Sequence, residues 1–187
     1  MHQLLSWDHS LLRVINEQGR NPFFDWLMPW LRNAPAWAPL YLFLAVFVGM
    51  NFRKTGWWWI LFFLCTVLVT DFISSTLIKE HFLRVRPCNN PQLASWLNVM
   101  VAYRPQSSSF TSSHAANHFG LAAFFYITLR KRFSEWPFLF FIWAALICYA
   151  QVYVGVHYPL DVAAGSVIGL VIGYLSGRIF NKRYGLV

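Results

Sequence analysis

Three groups of residues have the types and spacing that anion chemistry needs. His157 and Asp161 stand four apart. If a helix begins near Pro159, the carboxylate can reach the imidazole and fix its tautomer. An imidazole oriented by a carboxylate is the arrangement of an activated nucleophile or a general base. Thr111, Ser112, Ser113 and His114 form the second group, where a polar loop enters an apolar run. Hydroxyls and free backbone N–H groups at a helix start make an anion site, with His114 beside it. The third group is Lys79, Arg84, Arg86 and Arg104, four cations in the one polar loop 79–113. Arginine offers a planar fork suited to phosphate oxygens. Each group also has a plainer reading. Cations beside apolar runs commonly snorkel to the headgroups, and a lone histidine at a helix start is commonly a hydrogen-bond partner. Only convergence on one face lifts the three above those readings.

The elements that must position them are apolar. Of the 187 residues 57% are hydrophobic and 12% charged, against about 25% charged in an average soluble domain, so a water-soluble fold is not expected. No Ser/Gly/Pro-rich linker divides the chain, and 1–187 reads as a single domain. A helix needs about 20 apolar residues to cross the hydrocarbon core. Five runs qualify or nearly do: 33–52, 56–78, 114–129, 136–156 and 158–180. The fold class is therefore all-α, an integral membrane bundle of five transmembrane helices over 33–180, because lipid leaves no partner for an open strand edge. The third run is short, which predicts a mouth recessed into the membrane.

The segment 1–31 differs. Leu4, Leu5, Leu11, Leu12 and Ile15 form a helical stripe while Asp8, Arg13 and Glu17 point elsewhere. Gly19 ends that helix, and Asn21-Pro22 supplies an N-cap and a first-turn proline for the next. Two amphipathic helices on the membrane surface are expected, with one poor sixth span as the alternative. This segment lacks the uninterrupted apolar stretch of a cleaved signal, so the chain is expected to insert through its own spans.

Charge sets the orientation. The net charge is +8, but the basic residues sit between apolar runs, so topology rather than a nucleic-acid partner explains them. Five spans put Arg53, Lys54, Arg130, Lys131, Arg132, Arg178, Lys182 and Arg183 on one side, which should be the cytoplasm. The three chemical groups then converge on the opposite face. Gly165, Gly169, Gly173 and Gly177, each four on from the last, make a small-residue face for close helix packing and turn the His157 end of the last helix toward the bundle interior. Cys65 and Cys148 lie in apolar runs and Cys88 stands alone in the loop, so neither a disulfide framework nor a zinc knuckle follows.

With these residues in place, the chain resembles the type 2 phosphatidic acid phosphatase family, whose pattern is Lys-x6-Arg-Pro, Pro-Ser-Gly-His and Ser-Arg-x5-His-x3-Asp. The first motif is intact from Lys79 to Pro87. The second stands as Thr111-Ser112-Ser113-His114, with proline and glycine replaced. The third keeps His157 and Asp161, but Ala150 and Gln151 occupy the places of its serine and arginine. The resemblance implies metal-free phosphoryl transfer without a cofactor. His157 would attack phosphorus to form a phosphohistidine, and Asp161 would stabilise the imidazolium. His114 would protonate the leaving oxygen and then activate water. Lys79, Arg86, the Ser112 hydroxyl and the Ser113 N–H would hold the phosphate oxygens. The family arginine missing at Gln151 is itself a phosphate ligand, and Arg104 is the residue expected to replace it. The implied partner is a phospholipid or polyprenyl phosphate at the periplasmic face of a bacterial inner membrane.

Two rival readings come from the same residues. His114 and His118 have the i, i+4 spacing of a zinc helix, but the glutamate of a His-Glu-x-x-His motif is absent and the nearby cations repel a metal. His118 is then a core histidine or one that supports a site residue. The other rival is a lipid-phosphate binder or transporter that lost turnover through Gln151, with Asp71, Ser74 and Ser75 in a polar path. More simply, Asp71 pairs with a loop cation at the floor of the site.

Overall fold

The computed structural model describes residues 2–186; Met1 and Val187 lie outside it. Every regular element among the described residues is helical. The chain opens with α1 (His2–Arg13), continued by a π-helical turn at Val14–Gln18, and α2 (Pro22–Leu31). Their break is the expected one. The Gly19 N–H returns to the Val14 carbonyl, and Asn21 caps α2 by accepting the Phe24 N–H at 3.0 Å. With its π-helical continuation the first helix runs 17 residues and α2 runs 10, about 25 and 15 Å, and neither is among the described stretches long and apolar enough to cross a membrane. No sixth span forms.

The inward face of α1 is not the expected one. Asp8 and Asn16 are buried, while Leu5, Trp7 and Leu11 stay exposed and only Leu12 of the described stripe is fully buried. The Leu4 side chain lies outside the described residues. The physical reason is that partners for polar groups wait inside. Asp8 Oδ1 accepts the Leu160 N–H at 2.9 Å, and Asn16 Nδ2 donates to the Tyr153 carbonyl at 2.6 Å. The apolar side is left for the membrane interface.

The bundle follows as α3 (Ala38–Asn51), α4 (Arg53–Asp71), α5 (Ser113–Phe133), α6 (Leu139–Tyr153) and α7 (Pro159–Arg183). A π-helical stretch, Phe72–Ile78, prolongs α4 toward the polar loop. Four stretches are long and apolar enough to cross a membrane: Ala34–Asn51, Arg53–Ile78, Trp136–Tyr153 and Pro159–Arg183. The remaining expected span, α5, is different in kind. It begins with Ser113, His114, Asn117 and His118, ends in Arg130, Lys131 and Arg132, and is the helix the others enclose, with Ala115, Ala116, Leu121, Ala122, Phe124 and Phe125 buried. Its 21 residues extend about 31 Å. The short third run is thereby corrected: polar and basic turns at both ends of α5 hide its true length from an apolarity count.

α7 lies along α5 through the glycine face. A Cβ on Gly165, Gly169 or Gly173 would drive into the backbone carbonyl of Ser112, Ala116 or Gly120 respectively. Between the far ends of the helices Trp59, Phe63, Phe124, Phe125 and Phe180 pack together, and Trp59 Nε1 donates to Thr128 Oγ1 at 2.8 Å. Outward, Leu42, Phe43, Met50, Leu61, Leu68, Val167, Val171 and Leu175 are exposed. This apolar belt is the lipid-facing surface of an integral membrane protein.

Candidate active site

The turn between α6 and α7 delivers His157, buried at 2% exposure, and the first turn of α7 delivers Asp161 at 0%. Their expected pairing is looser than the spacing suggested. Asp161 Oδ2 lies 3.6 Å from His157 Nδ1, beyond hydrogen-bond distance. The carboxylate is already occupied. Arg84 Nη1 and Ser109 Oγ each donate to it at 2.5 Å, and the Tyr158 N–H donates at 2.9 Å. Arg84 also pairs with Asp8 at 2.5 Å and lies over the Tyr158 ring, 4.0 Å from its centroid.

The other imidazole nitrogen fixes the tautomer. Arg86 Nη1 lies 3.0 Å from His157 Nε2. A guanidinium has only donors, so Nε2 is the acceptor and the proton sits on Nδ1, facing Asp161. Arg86 is itself 5% exposed and held by the Ser107 carbonyl at 2.9 Å, the Ser107 hydroxyl at 3.1 Å and the carbonyls of Ser108 and Val156, both at 3.2 Å. A neutral imidazole whose lone pair faces a guanidinium held by four other contacts can act as a nucleophile once an anion takes over the guanidinium's donors.

Lys79 stands at the end of the π-helical stretch, where Nζ donates to Ser113 Oγ at 2.7 Å. That hydroxyl also bonds Ser75 Oγ at 2.7 Å, and Ser75 donates to Asp71 Oδ1 at 3.2 Å. Asp71 thus reaches Lys79 only through two serines; the expected direct pairing is not formed. Ser112 acts locally as the N-cap of α5, its Oγ accepting the Ala115 N–H at 3.4 Å and its N–H donating to the Asp161 carbonyl at 3.0 Å. His114, one residue into α5, lies within electrostatic range of His157, Arg32 and Lys79. His118 is a satisfied core histidine: Nδ1 bonds the His114 carbonyl at 2.7 Å and Nε2 the Tyr41 hydroxyl at 3.2 Å. Among the described residues no group of three or more His, Cys, Asp and Glu is placed to hold a metal ion.

Burial dominates the protonation equilibria. It pushes the Lys79 ammonium down to about 8, with Arg86 adding repulsion. Burial also takes His157 down to about 4, against the opposing pull of Asp161. Near neutral pH the His157 imidazole is therefore neutral and Lys79 charged.

The three groups, Arg104 excepted, meet at one end of the bundle. Arg53 and Lys54 open α4, Arg130, Lys131 and Arg132 close α5, and Lys182 and Arg183 close α7 at the other end. Arg104 does not join the site. Its side chain is exposed and lines a cavity of about 210 Å³ beside Cys88 and Asn90. The side chain that reaches Gln151 is Arg32, whose Nε lies 3.4 Å from Gln151 Oε1. Ser109, Asp8 and Arg32, which the structure brings to this end, were not singled out in the sequence, and Arg84 only as one of four loop cations. Arg84 occupies an unspecified place in the Lys-x6-Arg-Pro motif, and Asp8 and Arg32 come from a segment whose pattern signals only amphipathic helices.

Residues 56–184 match the family model described as the PAP2 superfamily. A lipid A 4'-phosphatase of Bacteroides thetaiotaomicron is 32% identical over 166 residues, 87% of this chain and 72% of that protein. One of Porphyromonas gingivalis is 32% identical over 119 residues, 63% of this chain, which spans only 49% of that protein's length. The crystal structure of Aquifex aeolicus LpxE superposes with a TM-score of 0.69 at 26% identity, covering 90% of this chain and 93% of that one. The transmembrane PAP2-type phosphatidylglycerolphosphate phosphatase of Bacillus subtilis gives 0.74 at 22% identity over 98% of this chain and 89% of that one, a likeness of fold.

Proposed function

Because the chain belongs to the PAP2 superfamily, we propose that it is a metal-independent membrane phosphatase that hydrolyses a phosphomonoester or pyrophosphate of a lipid through a phosphohistidine on His157. The observation that carries this reading is the arginine-to-imidazole contact, Arg86 Nη1 to His157 Nε2 at 3.0 Å, with the Nδ1 proton turned toward Asp161. When a phosphate enters, Arg86 shifts its donors from the nitrogen to the phosphate oxygens, and Lys79 and Ser113 flank the same anion. The Nε2 lone pair forms the N–P bond as the P–O bond to the lipid breaks, and His114 gives a proton to the leaving oxygen. The imidazolium is stabilised by Asp161, held by Arg84 and Ser109. Water, deprotonated by His114, then cleaves the N–P bond and releases inorganic phosphate. Preorganised donors around the equatorial oxygens supply the electrostatic stabilisation.

The cation-rich far end of the bundle supports placing that end in the cytoplasm and the site at the periplasmic face of a bacterial inner membrane. The two relatives named as lipid A 4'-phosphatases put a lipid A phosphomonoester first among substrates to try. A second reading, a lipid-phosphate binder without turnover, is favoured by Gln151 alone. Phosphate release in detergent from lipid A, phosphatidylglycerol phosphate, phosphatidate and undecaprenyl diphosphate separates the two. At least one lipid should be hydrolysed, and His157→Ala should lower the rate by about 1000-fold or more. A His157→Ala rate equal to wild type, or no release from any of the four, would sink the phosphatase reading.

A further inference from the structure

Arg32 and Gln151 meet at the wall of the site, one from the end of α2 and the other from α6. Gln151 is fully buried; its Oε1 accepts from Arg32 Nε at 3.4 Å and its Nε2 has no hydrogen-bond partner. Arg32 therefore has one nitrogen engaged. Among the described residues neither of its Nη nitrogens donates a hydrogen bond, and no carboxylate contributes to its electrostatic surroundings. What does surround it is cationic or titratable: Arg86, Cys88 and His114 all lie within its electrostatic range.

A half-buried guanidinium without a carboxylate, close to a second guanidinium, is uncompensated positive charge. Every other buried or half-buried arginine at this end has its partners. Arg84 has two carboxylates, and Arg86 has three backbone carbonyls, a hydroxyl and the imidazole. Arg32 alone keeps a fork of free N–H donors, and the buried amide of Gln151 adds an unanswered donor beside it. Free donors of this number in one corner fit an anion with several acceptor oxygens. We propose that Arg32 is a ligand of the substrate's phosphate group, held in position by Gln151 and supplying from α2 the charge that residue 151 lacks. Arg32 lies outside the matched residues 56–184, so the anion cradle is completed by the N-terminal segment. The inference rests on the phosphatase reading for its role in turnover, but anion binding tests it separately.

Binding of orthovanadate, a phosphate analogue, is measured by calorimetry on the full chain in detergent, beside phosphate release from the best lipid substrate. Arg32→Ala should weaken orthovanadate binding at least tenfold and lower turnover by about 100-fold to 1000-fold, the usual effect of removing one such donor. Arg32→Gln keeps a long amide donor next to Gln151, which guards against loss of folding, and should show the same two losses. Placing the charge on α6, in the double variant Arg32→Ala with Gln151→Arg, should recover at least tenfold in both. Wild-type orthovanadate binding in Arg32→Gln would overturn the proposal, as would a folded double variant that recovers nothing. If the wild-type protein binds orthovanadate through Arg32 but releases no phosphate from any lipid, the phosphatase reading fails and the ligand assignment stands.

Discussion

At the scale of single residues, the site is organised by a competition for one carboxylate. Asp161 has two oxygens and four claimants: Arg84, Ser109, the Tyr158 N–H and, at 3.6 Å, the imidazole of His157. In the empty site the guanidinium, the hydroxyl and the amide hold it. In the proposed reaction N–P bond formation makes the imidazole cationic, so the fourth claimant gains charge and the carboxylate is already fixed to receive it. Protonation then sets the working pH range. In the proposed reaction His157 must be neutral to attack, so kcat/KM rises as pH climbs through about 4; His114 must carry the proton it gives and Lys79 its charge, so kcat/KM falls on the alkaline side, where Lys79 loses its charge as pH passes about 8. A pH–rate profile of the wild-type protein should show both limbs, and Lys79→Arg should carry the alkaline limb upward, since arginine stays charged. An alkaline limb unmoved by that change would separate Lys79 from the limb. Lys79, Arg86 and His157 were legible in the sequence because the roles proposed for them demand a fixed residue type at a fixed spacing. Arg84 was visible only as one more loop cation, because nothing local distinguishes a cation facing solvent from one facing two carboxylates.

At the scale of elements, two departures from plain helix geometry place the site. The π-helical stretch Phe72–Ile78 at the end of α4 brings both Ser75 and Lys79 onto the Ser113 hydroxyl, in keeping with the frequency of π-helical turns at functional sites. The glycine face of α7 does the rest. It lets the backbone of α7 touch that of α5, so that the first turn of α7, with Asp161, lies against the N-terminus of α5 and the Ser112 N–H bonds the Asp161 carbonyl. A Gly173→Ala change would press a methyl into the Gly120 carbonyl and part the two helices. Overpacking of this kind costs about 1–3 kcal/mol, which for a chain of this size should lower the thermal midpoint in detergent by about 2–12 °C. An unchanged midpoint would mean that the helix contact is looser than the structure shows. The four-residue glycine period was legible; which helix it faced was not, since the pattern names no partner.

At the scale of the whole molecule, charge is sorted between the two ends. Arg53, Lys54 and the basic last turns of α5 and α7 crowd one end, while the other gathers its cations around the reaction site. The orientation argument yields a direct test. Single cysteines are placed at Gln106, exposed in the site loop, and at Ser134, exposed between α5 and α6, in a chain whose own cysteines are replaced. A membrane-impermeant thiol reagent should modify the first from the periplasmic side of intact inner membranes and the second only after lysis. The opposite pattern would reverse the proposed orientation.

Composition and periodicity alone determined that the chain is a helical membrane bundle, because burying a backbone in lipid leaves few solutions and each one marks the sequence with long apolar runs. Motif spacing singled out the two histidines and the loop cations proposed to react with and bind the phosphate, because each motif spans only a few residues of one turn or loop. Tertiary structure alone decided which distant side chains meet at this end. Asp8 and Arg32 travel with an N-terminal segment whose local pattern describes only its affinity for an interface, and packing against α6 and α7 is what turns their side chains toward Arg84 and Gln151. Spatial neighbours so far apart in the chain leave no periodic trace in it.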